Sequence, residues 1–318
     1  MSGSGGVTTG SDPAGPGTAG GPPVDRPAVL AVDIGGTKLA VGIVDGHGAV
    51  LVEAREATNG RDAEELFDRL SDLLATVLDG ASVRPVGVGV GCGGPMSGSP
   101  ANRLVSPLSI PQWSDFPLSR RLVEATGLPT VVDNDAKALA LGEGWCGAAA
   151  GCRDFLAMVV STGVGGGVVL DGRLLDGASG NAGHVGHVVV EPDGPPCACG
   201  SQGCLEAVAS GPAIARRTGR PAAEASVAVR REVGAWAGRA VGAVVNLLDL
   251  GLVVVAGSVA LGFGDDFFDA AQEALDRACG LSFTRGARIV PAGLGAAGPL
   301  VGAAAVWHHL GGGGEDGG

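Results

Sequence analysis

Residues 28–57, AVLAVDIGGTKLAVGIVDGHGAVLVEAREA, open on a continuous apolar run, Val29–Ile34, that carries one acid, Asp33, near its end. Gly35-Gly36-Thr37-Lys38 interrupts the run, Leu39–Val44 resumes it, and a third apolar stretch follows the turn at Asp45-Gly46. Short apolar runs separated by glycine turns read as successive hairpin strands. The first turn is also a candidate phosphate loop. Gly35 and Gly36 let backbone N–H groups come close to anionic oxygens, Thr37 adds a hydroxyl, and Asp33 stands where it can meet Mg2+ or its water. It is not a Walker loop, because a strand follows it and Lys38 is placed differently. A plain hairpin turn shares this local pattern.

The module occurs twice. Phe155–Ser161 is again apolar, Thr162-Gly163-Val164-Gly165-Gly166-Gly167 follows as a turn, and Val168–Leu170 continues as a strand. Two such hairpins from two similar halves, facing each other, can clamp a nucleoside triphosphate. Thr162, Gly163, Gly165 and Gly166 therefore join Gly35 and Gly36 as candidate phosphate-binding positions.

Between the hairpins, Asp62–Leu78 has helical apolar spacing with Gly80 as its stop. Val86–Val90 and Pro129–Val132 read as strands and Pro117–Thr126 as a helix. VVDNDAKALALGEG then sets Asp133, Asn134 and Asp135 at a strand-to-helix junction. Asp133 is expected to cap the helix. Asp135, at the start of the helix and facing the cleft, is the candidate general base for a hydroxyl that attacks phosphorus. After residue 206, helices are expected over Ser226–Asp249, Asp265–Cys279 and Pro299–Leu310, with strands at Leu252–Val255 and Ile289–Pro291.

Cys197, Cys199 and Cys204 form CxCxxxxC, with His187 upstream on an expected short strand. Three thiolates and one imidazole complete a tetrahedral shell that suits structural Zn2+. The alternative is a disulfide with one thiol left over, but nothing marks the chain for an oxidising compartment. Cys92, Cys146, Cys152 and Cys279 are expected as buried free thiols.

The chain has 318 residues, 45% of them hydrophobic and 17% charged, enough for two domains with sizeable cores. Its formal charge of −12, from 21 basic and 33 acidic residues, argues against a nucleic-acid surface. With 59 glycines in the chain, a single glycine carries little weight as a signal. Residues 1–27 are rich in Gly, Ser, Pro and Ala, and 311–318 read GGGGEDGG; both are expected as disordered tails. Neither a secretory signal nor a run of about 20 apolar residues is present, so a cytoplasmic protein without membrane contact is expected.

DIGGTK, the NDA at 134–136, STGVGGG, AGHVGH, CACGSQGC and EAVASG come in an order that resembles the ROK family of sugar kinases and sugar-responsive repressors, over about residues 28–308. That resemblance implies an actin-like, ribonuclease-H-like α/β fold, with ATP and a small sugar held between two domains. It divides the chain into 28–133, with the closing helix 299–310 packing back on it, and 134–298, which carries the zinc loop. By the same resemblance Asp135 is the catalytic aspartate, while Gly94, Ser109, Asn134, Asp135 and Glu206 bind sugar. His187 is implied as a zinc ligand that also faces the sugar, and Gly257 and Ser258, in VVVAGSVALG, lie on the adenosine side. A homodimer is the family habit. Repressors of the family carry a helix-turn-helix ahead of the phosphate loop, where this sequence has only its Gly/Pro-rich tail, so an enzyme is expected.

Two departures bear on the sugar. Most hexokinases of the family read AGExGH, whereas residue 184 here is His, a form that resembles the family's bacterial N-acetylmannosamine kinases. Ser109 stands where many members have a sugar-binding asparagine. The expected reaction is ATP-dependent phosphorylation of the 6-hydroxyl of N-acetylmannosamine, with glucose or N-acetylglucosamine as the alternatives.

Overall fold

The computed structural model describes residues 26–311. The expected tails, 1–27 and 311–318, lie outside the described residues except for positions 26, 27 and 311.

In the first half, β1 (Val29–Ile34), β2 (Lys38–Val44) and β3 (Val50–Ala57) form an antiparallel meander. Helix α1 (Ala63–Asp79) leads to β4 (Val88–Cys92), a two-stranded pair β5 (Met96–Ser97) and β6 (Leu104–Val105), helix α2 (Leu118–Thr126) and β7 (Thr130–Asn134). β4 lies parallel between β1 and β7, giving the sheet order β3-β2-β1-β4-β7. Helix α3 (Asp135–Cys146) then crosses to a second half, where β8 (Phe155–Val160), β9 (Val164–Leu170) and β10 (Arg173–Leu174) repeat the meander. Helices α4 (Leu205–Ala209), α5 (Gly211–Thr218) and α6 (Val227–Leu248) precede β11 (Leu252–Ala256). Helices α7 (Ser258–Phe263) and α8 (Asp265–Ala278), strand β12 (Arg288–Pro291) and helix α9 (Gly298–Leu310) complete the chain. The second sheet, β10-β9-β8-β11-β12, has the order of the first.

The burial explains the patterning. β1 lies between strands and under helices, so its apolar run is continuous and Val29, Leu30, Ala31, Val32 and Ile34 are all buried. β3 is an edge strand and alternates half-buried with exposed residues. In α1, Leu66, Phe67, Leu70, Leu73, Leu74 and Val77 form one buried stripe, each large side chain contributing about 1.5–3 kcal/mol. Its N-cap is Asp62, whose carboxylate accepts the Glu65 N–H at 2.9 Å.

Helix α9 returns to the first sheet, where Leu300, Ala303 and Ala304 cluster with Val29, Ala31, Ala40 and Val44. It crosses α3 backbone to backbone. A Cβ built on Gly302 would stand 2.6 Å from the Ala138 carbonyl, and one on Gly142 would stand 2.9 Å from the Gly302 Cα. Only glycine fits that approach.

Several expectations need correction. The glycines 165–167 are not a turn: they belong to β9, and Gly165, Gly166 and Gly167 pair with Val159, Met158 and Ala157, leaving Ser161–Gly163 as the turn. β7 runs on through Asp133 and Asn134 because parallel pairing with Gly91 and Cys92 extends it. Asp133 is therefore a buried strand residue, and the cap of α3 is Asn134, whose side chain accepts the Ala136 N–H at 3.0 Å. His187 lies on a 3-10 turn, Val185–His187, not on a strand. All seven cysteines are free; Cys92 and Cys279 are buried, but Cys146 and Cys152 are half-buried. Among the described residues no helix is long and apolar enough to cross a membrane.

Candidate active site

A cleft of about 620 Å3 is lined from both halves of the chain. One wall is the end of β1 and the β1–β2 turn, with Asp33, Gly35, Gly36 and Thr37. The turn is drawn tight by the Gly35 N–H donating to the Lys38 carbonyl at 3.0 Å, and the Thr58 hydroxyl donates to the Gly35 carbonyl at 2.6 Å. The opposite wall is the β8–β9 turn, with Ser161, Thr162 and Gly163, continued by Gly165 and Gly166 on β9. Ser161 and Ser258 share a hydroxyl hydrogen bond of 2.9 Å. Gly94, Ser109, Asn134, Asp135, His184, His187 and Glu206 line the remaining surface. Lys38, Gly257 and Ser258 do not line the cleft; Ser258 reaches it only through Ser161.

Asp135 begins α3 on the cleft floor. It is exposed to the cleft, yet the protein atoms crowded around the carboxyl desolvate it and hold it above the usual carboxylate range, against the pull of the Ala136 N–H and of His184. Asp33 is pushed up to about 7, first by burial and then by the negative charge of Asp135, with Lys38 and Arg55 acting the other way. Two recessed acids that each resist ionisation suit a proton acceptor beside a divalent cation. Gly91 on β4 lies between them: a Cβ there would meet the Asp135 Cα at 3.6 Å and the Asp33 Oδ1 at 3.9 Å. The Asp33 carboxylate is a hard oxygen ligand of the kind Mg2+ takes, usually with nucleotide phosphates completing the shell.

Beyond the acids, Glu206 on α4 is oriented by β9, its Oε2 accepting the Val164 N–H at 2.9 Å. The rings of His184 and His187 lie nearly parallel, 5.8 Å apart and 22° from coplanar. Burial, then the neighbouring His187, lowers the pKa of His184, so at neutral pH it meets the cleft as an uncharged imidazole.

His187 hands the wall over to the cysteines. The ligand atoms of His187, Cys197, Cys199 and Cys204 all lie within 4.8 Å of one another. The Cys197 Sγ is 3.7 Å from the His187 Nδ1, and the Cys199 and Cys204 sulfurs are also 3.7 Å apart. All three cysteines are free here, and the Cys199–Cys204 spacing is well beyond the about 2.05 Å of a disulfide. A tetrahedral ion with bonds of about 2.3 Å to sulfur sets its ligands roughly 3.8 Å apart, close to these spacings. Three thiols and an imidazole are a Zn2+ donor set once the thiols ionise. Burial and hydrogen bonds with Cys197 and Cys199 push Cys204 up to about 12, so that without a cation it stays a thiol, while the Ser201 backbone lowers Cys199.

A family model described as the ROK family matches residues 29–310. The chain belongs to the ROK family. The glucokinase of Thermotoga maritima is 42% identical to it over 193 residues, 59% of each chain. The N-acetylmannosamine kinase of Citrobacter koseri is 42% identical over 188 residues, 59% of this chain and 63% of that one. The chain thus spans about three fifths of the length of these curated relatives. The ROK family glucokinase from Streptomyces griseus, solved in complex with glucose and AMPPNP, matches with a TM-score of 0.75 and 32% identity, over 87% of this chain and 98% of its own. The fold is therefore the actin-like one the resemblance implies.

The sequence reading of this ROK protein missed several cleft residues. Lys137, Asn181, Ser210 and Arg216 line the cavity, and Gly91 separates its two acids. A lysine three residues into a helix reads as a solvated charge, and only the fold reveals that Lys137 is 1% exposed.

Proposed function

We propose that this chain is an ATP-dependent sugar kinase that phosphorylates the 6-hydroxyl of an N-acetylhexosamine, with N-acetylmannosamine as the preferred acceptor. The observation that carries it is Asp135 on the floor of a cleft walled by two glycine hairpins, its carboxyl open to the cleft and raised in pKa. In this reading the hairpin N–H groups, with Thr37 and Thr162, hold the triphosphate. Asn134, Glu206 and Ser109 orient the hexose. Asp135 takes the proton from the 6-hydroxyl as that oxygen forms its bond to the γ-phosphorus, and the bond from phosphorus to the ADP oxygen breaks. Asp33 would hold Mg2+, which would supply charge neutralisation to the phosphates. His187, Cys197, Cys199 and Cys204 would hold Zn2+, bracing the wall that presents His184 and His187. The units are taken as 28–133 with 299–310, and 134–298.

The acceptor is argued from His184. A neutral imidazole in place of a carboxylate offers one donor and one acceptor without a fixed charge, which suits an acetamido group beside the anomeric carbon. Glucose is the second reading, favoured by the relatives named glucokinase and by the structure solved with glucose. An ADP-release assay on N-acetylmannosamine, glucose and N-acetylglucosamine separates them. The expected result is a kcat/KM for N-acetylmannosamine at least about tenfold above glucose, worth roughly 1.4 kcal/mol. The reverse order removes the acceptor assignment, and no ADP from any sugar removes the kinase.

A further inference from the structure

We propose that Lys137 and Asp176 are positioning residues, an ionic latch that fastens the loop 176–183 over the acceptor side of the cleft. This rests on reading that side of the cleft as the sugar pocket. Lys137, on α3, is 1% exposed, and its Nζ lies 2.7 Å from the Asp176 Oδ1 and 3.9 Å from the Asp133 Oδ1. The same Asp133 oxygen lies 3.9 Å from the Arg103 guanidinium, and both of those side chains are also buried. Arg103, Asp133, Lys137 and Asp176 thus form a line of alternating charge from the first half of the chain to a loop of the second.

The geometry makes Asp176 the end of that line that matters for the loop. Among the described residues it is the one short-range anionic partner of Lys137, since Asp133 is farther off and shared with Arg103. A buried ammonium needs such a partner. Asp176 also closes the loop on itself, because its carbonyl accepts the Ala182 N–H at 2.9 Å. The loop anchored in this way carries Gly180, Asn181 and Ala182 into the cleft lining and leads directly into His184. At Asp133, within the line, it also reaches Asn134, whose N–H donates to the Asp133 Oδ1 at 2.8 Å. One ionic line, buried at Arg103, Asp133 and Lys137 and reaching the surface at Asp176, whose side chain is 58% exposed, therefore holds both sides of the acceptor pocket, while the two hairpins assigned to the triphosphate take no part in it.

Neutralising Asp176 is expected to loosen the acceptor side alone. In the full-length protein, with the best sugar from the panel above, Asp176→Asn should raise the sugar KM about tenfold and leave the ATP KM within about twofold. Asp176→Glu, which keeps the charge, should restore most of the sugar affinity. Hydrogen exchange of the 177–183 amides should be faster in Asp176→Asn than in the unmodified protein. A sugar KM that does not move, or sugar and ATP KM values rising together, overturns the latch. If the unmodified protein phosphorylates no sugar, the pocket reading fails, and exchange still decides: amides of 177–183 that exchange alike in both proteins overturn the latch, and faster exchange in the variant supports it.

Discussion

The β1–β2 and β8–β9 hairpins occupy equivalent places in two sheets of the same strand order, yet their chemistry differs. The first sheet carries Asp33 near the end of β1, and β7 runs directly into Asp135. The second sheet has Val159 and Pro291 in the corresponding strand ends, and its turn offers the hydroxyls of Ser161 and Thr162. One hairpin follows an acid whose ionisation is resisted; the other presents neutral hydroxyl donors. In the proposed reading, a duplicated framework is divided into a side for cation and proton and a side for phosphate, without a basic surface on a chain of net charge −12.

The strongest way to break that division is Asp135→Asn. If Asp135 is the base, turnover should fall by about 10² to 10⁴, while Tm stays equal or rises because a carboxyl disfavoured by its surroundings is gone. Steady-state rates with a melting curve check both halves of that statement, and an unchanged rate removes the base assignment.

Asp33→Asn comes next, with an expected loss of about a hundredfold in rate at limiting Mg2+. It also has a stability signature. The folded carboxyl titrates near 7 against an unfolded value of 3.8, so its contribution is complete below the unfolded value and is lost as pH rises through the folded one. Metal-free protein should therefore lose stability between about pH 4 and 7, and Asp33→Asn should flatten that slope in melts run across the range.

Cys197→Ser probes the wall beside the acceptor. Loss of stoichiometric zinc by elemental analysis and a fall of several degrees in Tm are expected; retained metal or an unchanged Tm counts against the cluster. The smallest effect sharpens the comparison from the second half. Ser258→Ala removes the partner of Ser161 and should raise the ATP KM about two- to threefold with the sugar KM unchanged.

What the sequence made legible follows from how each feature is encoded. α1 was readable because its apolar stripe, cap and stop agree, and β1 because a strand buried on both faces leaves an unbroken apolar run. Asp33, Asp135 and the Cys/His cluster were readable because chemistry fixes residue type and spacing. Gly165–Gly167 were misread as a turn: glycine has high turn propensity, but here β8 pairing and the closeness of α3, with the Ala140 Cβ 2.8 Å from a built Cβ on Gly167, keep it in a strand. Asp133 was misplaced for the converse reason, since an acid beside a helix start reads as a cap until tertiary partners claim it. Charge pairing between distant segments, as in Lys137 with Asp176, has no local signature at all.

The glycine crossing of α3 and α9 has a mechanical corollary. Asp135 sits at the head of the rod that carries this crossing, seven residues or about 10 Å from Gly142. If the two halves swivel about that contact, the hairpins at the rim travel through the wide arcs, whereas the carboxyl near the axle scarcely shifts. In the proposed reaction, gripping and releasing a nucleotide would then proceed around a nearly stationary Asp135.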